Sequence, residues 1–277
     1  MTLSGLFRRL PVFIGSLPAA AFVLGFSSEP LEAANLAPHR AVYSLKIGQA
    51  RAGSSFVDAR GAMTLIMEKS CDGWILEQTM TMDLSTAEGD TLKQKMNFSG
   101  LESLDGGNYR FAADNDIDEK KSQINGKARA GSDGKPGEVN YKLPEAKTIS
   151  LPEKTLFPVG HTSWLIDRAI AGDRQAPSHV FDGADGGGPQ EVVAFIGPLA
   201  APEAVPSKDQ LGALVKRPGW NVRLAFYQMD SQDAEPEYEA EIMQLDNGVA
   251  RRMVLDYREF TVILELEKIE AINPPSC

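Results

Sequence analysis

From His39 onward, apolar and polar residues alternate at every second position, the period of a half-buried strand whose successive side chains point to opposite faces. Ala41, Tyr43, Leu45 and Ile47 share one face of the first run. Met63, Leu65 and Met67 lead into a tight turn at Ser70, Cys71, Asp72 and Gly73. Beyond it, Trp74, Leu76, Met80 and Met82 alternate with Glu77, Thr79, Thr81 and Asp83. Leu92, Met96 and Phe98 then oppose Lys93, Lys95 and Asn97, and Tyr109, Phe111 and Ala113 continue the series. Strands this closely spaced predict an antiparallel meander. Asn125-Gly126 reads as a hairpin turn, with Val139, Tyr141 and Leu143 as a later strand.

The period changes once. Trp164, Leu165, Arg168 and Ala169, flanked by Ile166 and Ile170, fit a 3.6-residue repeat and predict an amphipathic helix over about 161–171. Thr162 is its expected N-cap and Gly172 its C-cap glycine. Its stripe, led by Trp164, must bury against the sheet as a plug or cover. Strand patterning resumes at His179 to Phe181 and at Val192 to Ile196. Residues 197–219 read as a long loop, and Trp220, Val222, Leu224 and Phe226 as a strong strand. Asp246-Asn247-Gly248 turns one strand into the next, and Phe260, Val262, Leu264 and Leu266 close the set. A dozen or more short strands cannot remain a flat sheet, because twist accumulates and open edges invite aggregation. The expected fold is mainly β, a long antiparallel sheet curled into a β-spiral or open barrel, with one helix.

The first 34 residues break this pattern. Arg8 and Arg9 precede an apolar stretch from Leu10 to Phe26, interrupted by Pro11, Gly15 and Pro18, with small residues at Ala33 and Ala34. That is the layout of an export signal cleaved near Ala33 or Ala34, leaving 35–277 as a single domain with no membrane span. Export to the periplasm changes the meaning of Cys71 and Cys277, since an oxidising compartment lets two thiols persist as a disulfide. Such a bond requires the C-terminus to return beside the strand that begins at Trp74. Two unpaired thiols are the alternative. The composition, 43% hydrophobic and 24% charged, is that of a globular protein, and the net charge of −10 argues against nucleic acid or anionic membrane faces as partners.

Catalytic and metal-binding signals are weak. His39, His161 and His179 lack metal-ligand spacing, and Ser163 misses the nucleophile-elbow register, so structural roles are expected of all four. Asp182, Gly183, Ala184 and Asp185 offer oxygens for calcium without the other positions of an EF-hand loop. Met63, Met67, Met80, Met82 and Met96 lie in neighbouring strands, where thioethers fill a core or line a hydrophobic groove more readily than they bind copper. No cofactor and no metal site is expected. Trp164, Met80, Met82 and Phe98 are the candidate lining of a ligand or partner groove.

In order and spacing, short motifs along the whole mature chain resemble the EipB-like cell-envelope-integrity proteins exported to the periplasm of alphaproteobacteria. They are His39-Arg40-Ala41-Val42-Tyr43, the Cys71 turn, Phe157-Pro158-Val159-Gly160-His161, Val180-Phe181-Asp182-Gly183, Tyr238-Glu239, Leu255-Asp256-Tyr257 and the terminal Cys277. The resemblance implies a β-spiral or open barrel with an internal helix, a disulfide between Cys71 and Cys277, and a periplasmic tetratricopeptide-repeat protein as partner. It implies no catalytic residues. The expected function is non-enzymatic maintenance of envelope integrity through protein contacts. The alternative is a carrier that holds a lipid or other apolar ligand in the concave face of the sheet, under a helix led by Trp164.

Overall fold

The structure is a computed structural model in which residues 34–202, 211–229 and 235–277 are described. The expected export signal, up to residue 33, lies outside the described residues, as does 203–210 of the expected long loop. The first eight strands run as one meander, each antiparallel to the one before. They are β1 (His39–Ala50), β2 (Phe56–Lys69), β3 (Gly73–Thr86), β4 (Thr91–Ser103), β5 (Asn108–Ile117), β6 (Lys120–Arg129), β7 (Gly137–Leu143) and β8 (Lys147–Leu151). Helix α1 (Pro158–Ile170) follows. A second meander then returns through β9 (Gln175–Val180), β10 (Gln190–Ala200), β11 (Gly219–Gln228), β12 (Tyr238–Leu245), β13 (Ala250–Asp256) and β14 (Phe260–Ala271).

The two meanders join where β14 pairs with β1, so the sheet has 14 strands in the order β8 to β1, then β14 to β9. Chain ends meet in the middle of the sheet, and its two edges, β8 and β9, come from the middle of the chain. The sheet is not closed by a continuous ladder, which makes it the open barrel that the alternation predicts.

Two turn expectations change. Asn125 and Gly126 lie inside β6, and the hairpin turns instead at Asp118 and Glu119, whose φ values of 53° and 68° suit a tight two-residue turn. Gly126 serves packing, since a Cβ there would come within 2.7 Å of the Phe111 ring. Within the expected loop, β10 continues to Ala200, and a short 3-10 turn at Ala213–Val215 buries Val215 completely. The turn at Asp246-Asn247-Gly248 stands where expected, with Gly248 at φ 88°.

Inward-facing residues form three cores. The first gathers Tyr43, Met63, Met80, Met82 and Leu264 around the β1–β14 joint, with Met96 against it. The methionines thus act as irregular fillers of a packed interior. The second packs Val159, Leu165, Ile166 and Ala169 of α1 onto inward residues of β9 to β12, with Met67. The third is aromatic and holds Phe98, Tyr109, Phe111, Tyr141, Phe157 and Phe181.

The helix differs from its expected form at one end. It begins at Pro158, where a missing N–H is harmless, and Phe157 in the N-cap position provides no side-chain cap. Thr162 lies in the helix body, where its hydroxyl donates to the Pro158 carbonyl at 3.0 Å. Val159, Leu165 and Ile166 face the sheet, while Trp164 is half-buried and Arg168 exposed, so Trp164 flanks the stripe it was expected to lead. Gly172 stands as expected: it has φ 85°, its N–H reaches the Ala169 carbonyl, and Asp173 N–H reaches that of Arg168, a Schellman ending.

Cys71, in the β2–β3 turn, is bonded to Cys277 with a Cα–Cα distance of 5.6 Å. The returning tail is also fixed by Ile272 N–H donating to the Pro38 carbonyl at 3.0 Å.

Candidate functional site

Where β8 and β9 approach each other, the two halves of the molecule meet along a seam that no ladder closes. At one end, the chain between β8 and α1 supplies a single parallel bridge to β9: Leu156 N–H donates to the His179 carbonyl at 2.8 Å, and Phe181 N–H donates to that of Leu156 at 3.0 Å. Phe157 and Phe181, on either side of this bridge, insert into the aromatic core. Phe157 stacks on Tyr109 with centroids 4.9 Å apart, and Phe181 meets Phe111 edge-on at 5.3 Å. Aromatic pairs of this geometry add about 0.5–1.5 kcal/mol beyond their buried area.

The loop after Phe181 is clasped by side chains of the first meander. Tyr109 donates its hydroxyl to the Asp182 carbonyl at 2.9 Å, Tyr141 to that of Gly187, and Lys147 its ammonium to that of Gly186 at 3.1 Å. Gly183 is required for this approach: its φ is 76°, and a Cβ would sit 2.5 Å from the Phe111 ring. The carboxylates weighed as calcium ligands turn back on their own loop, Asp182 accepting from Ala184 N–H and Asp185 from Gly187 N–H. Burial raises the Asp182 pKa, and among the described residues no group of acids, histidines or cysteines is arranged to hold a metal.

A residue that sequence reading missed organises the helix end. Glu102 on β4 is 3% exposed and accepts from Val159 N–H at 2.9 Å and Gly160 N–H at 2.8 Å, capping α1 from 57 positions away. The first-turn amides of a helix need such partners, and the helix dipole favours an anion there. Burial nevertheless wins, raising the Glu102 pKa to about 7 against the lowering effect of the two amides. The signal was visible in the strand: an acid on the same face as Leu92, Met96 and Phe98, an inward position where unpaired acids are rare.

His161, in the same turn of the helix, is 8% exposed and stacks on Trp164, with no partner for its Nε2. Burial lowers its pKa to about 4. It is therefore engaged with Trp164 and not with Ser163. His39 is buried against the Ala37 carbonyl, and His179 uses its backbone in the Leu156 bridge. The four candidate groove residues do not share one lining. Met80 and Met82 belong to the first core, at 7% and 4% exposure, Phe98 to the aromatic core, and Trp164 to the flank of the second.

The other end of the seam is open. A cavity of about 560 Å³ lies between Ile149–Pro152 on one wall and Gly187–Gln190 on the other, with Gln228, Met229 and Glu237 at its end. Consecutive residues of β8 line it whichever way their side chains point, so the wall is the strand's backbone edge.

A protein similar in sequence is the cell envelope integrity protein EipB of Brucella abortus, 27% identical over 86% of this chain and 85% of its own length. A solved structure, a beta-barrel-like protein of a domain of unknown function from Brucella abortus, superposes with a TM-score of 0.78 at 26% identity, covering 87% of this chain and all of its own. The EipB-like family model matches residues 30–273, essentially the whole sheet, and the chain belongs to the EipB-like family.

Proposed function

We propose that this protein is an exported, non-enzymatic factor that maintains cell-envelope integrity through contacts with other proteins, its partner being a periplasmic repeat protein of the tetratricopeptide type. The envelope role rests on family membership and on the name of the Brucella relative. The periplasmic setting is supported by the Cys71–Cys277 bond, since oxidising compartments preserve disulfides. Among the described residues, no helix is long and apolar enough to cross a membrane.

The observation that carries the mode of action is the filled concave face. Helix α1 packs onto inward residues of β9 to β12, and Met80, Met82 and Phe98 are packed in cores, so the residues best suited to an apolar ligand are already covered by other side chains. That favours work done at the surface over carriage of a lipid in the interior.

Crosslinking in intact cells tests it, paired with native mass spectrometry of protein purified gently from its own periplasm. The expected result is a crosslinked repeat-protein partner and a bare polypeptide mass. A stoichiometric lipid adduct with no partner would replace this reading with the carrier.

A further inference from the structure

Strand β8 is an edge: its one neighbour in the sheet is β7, and the alternate N–H and C=O groups on its other side have no strand to meet. Most exposed edges are blunted by length, proline or charge. Here β9 carries Pro177, and Leu156 covers its end, whereas β8 is followed by Pro152 but presents Ile149–Leu151 to an open cavity. The Leu156 bridge shows how the seam closes when an extended segment enters it, by backbone hydrogen bonds in both directions.

The far wall adds a charge preference. Gln190 and Gln228 each donate to one oxygen of the Glu237 carboxylate at 3.2 Å, fixing it at the cavity, and among the described residues no cation is paired to it. Asp185 on the same wall accepts, among the described residues, from its own loop alone. The nearby ammonium of Lys147 is already committed to the Gly186 carbonyl and lies 5.1 Å from the Tyr141 ring centroid. A cavity walled by an unpaired strand edge on one side and, on the other, by carboxylates without an ion-pair partner among the described residues fits an extended segment carrying Lys or Arg.

We infer that the open half of the seam is the docking site for an extended, basic segment of a partner protein, lying outside that partner's helical repeats, which adds to β8 as a fifteenth strand. This inference rests on the protein-contact reading and names the surface that the contact uses. Strand addition draws affinity from main-chain hydrogen bonds and specificity from side chains on alternate positions. A segment seated here would place its backbone on Ile149–Leu151 and a cationic side chain against Glu237.

The test places a photo-crosslinking benzoylphenylalanine at Ser150, in the seam, or at Asn221, on the outer face of β11, in the full-length protein in intact cells. The crosslinked peptides are then mapped. Ser150 is expected to capture one segment rich in Lys or Arg, and Asn221 is not. Gly188→Trp supplies the blocking control. A Cβ at Gly188 meets only Ile149 Cγ2, at 3.9 Å, so the fold tolerates the change while the indole fills the slot. Capture at Ser150 should then fall at least about tenfold, the loss of roughly 1.4 kcal/mol of binding. Glu237→Gln should reduce it less and make the remainder less sensitive to salt. Capture unchanged by Gly188→Trp, capture of an acidic or helical segment, or crosslinks confined to this chain would overturn the seam as the site. If Asn221 alone captured a partner, the protein-contact reading would stand with its surface elsewhere. Silence at both positions would count against both.

Discussion

The molecule closes on itself twice, and the two closures are made of different material. At the β1–β14 joint, pairing runs from His39 opposite Ala271 to Ala50 opposite Phe260, and the disulfide ties the tail just beyond it. At the β8–β9 seam, backbone contact is reduced to Leu156, and Tyr109, Tyr141, Lys147, Phe157 and Phe181 do the rest with side chains. A ladder satisfies backbone groups whatever the side chains are, whereas a side-chain clasp depends on each residue in it. Local opening should therefore concentrate at the seam, where few backbone bonds hold it, and an edge left free there is available to a partner. The joint also limits the role of the disulfide. The first and last strands are already hydrogen-bonded neighbours, so the bond secures a tail and a turn to a closure that exists without it.

The largest effect should come from emptying the clasp. Phe181 is 2% exposed and touches both Phe111 and Tyr141. Phe181→Ala should lower unfolding free energy by about 3–5 kcal/mol in a urea titration, the usual loss for a buried aromatic ring. A loss under about 1 kcal/mol would mean that side chains are not what holds the seam.

Breaking the joint's covalent element should weigh somewhat less. Cys71→Ser and Cys277→Ser each remove a bond spanning 206 positions. Each should destabilise by about 2–4 kcal/mol, chiefly by freeing the unfolded chain. Because both variants delete the same bond, the double variant should melt with the singles, and additive losses would contradict a shared bridge.

The joint was the more legible of the two in the sequence. Alternation in Tyr43, Met80, Tyr109 and Leu264 marked their inward faces, and two cysteines behind an expected export signal pointed to a disulfide, with unpaired thiols as the alternative. The seam was not legible, because β8 and β9 become edges only through a β1–β14 pairing between opposite ends of the chain. Periodicity says which way a side chain points along its own strand and nothing about which strand lies beside it. The helix start was misplaced for a related reason: the sequence around Thr162 offers a local cap, but the cap in use is Glu102, on another strand. Asp182 and Asp185 resembled ligands because acid–glycine loops serve calcium and backbone turns alike.

Glu102 and His161 sharpen the comparison, because two buried titrating groups, one reaching from β4 and one on the helix, lie at the first turn of α1 and their effects on stability have opposite signs. The folded state raises Glu102 from its ordinary value to about 7, so between about pH 4.5 and 7 the fold binds more protons than the unfolded chain and stability falls as pH rises. His161 is lowered to about 4, so between about pH 4 and 6.5 the unfolded chain binds more protons and stability rises with pH. Each window is worth up to a few kcal/mol, and in the intact protein they largely cancel. Glu102→Gln should therefore reveal stability that climbs from pH 4 to 6.5, and His161→Phe stability that declines from pH 4.5 to 7. Melting curves across that range measure both, and matching profiles for the two variants would show that neither group titrates as its burial requires.

The smallest change is the most selective. Tyr43 donates its hydroxyl to the Ala250 carbonyl at 2.7 Å at the joint, and Tyr109 donates to the Asp182 carbonyl at 2.9 Å at the seam. Tyr43→Phe and Tyr109→Phe delete the same group from sites of 1% and 2% exposure, and each should cost about 1 kcal/mol of global stability. Their local consequences should separate. The Tyr43 contact lies among ladders that remain intact, so amide exchange near it should quicken only as far as global unfolding does. The Tyr109 contact is one of three that hold the loop after Phe181, so its loss should quicken exchange at Ala184 and Gly187 beyond the global change, while amides of β1 and β14 follow the global change alone. Equal acceleration around both tyrosines would mean that the seam opens only when the whole sheet does, and that its side-chain clasp is as cooperative as a ladder.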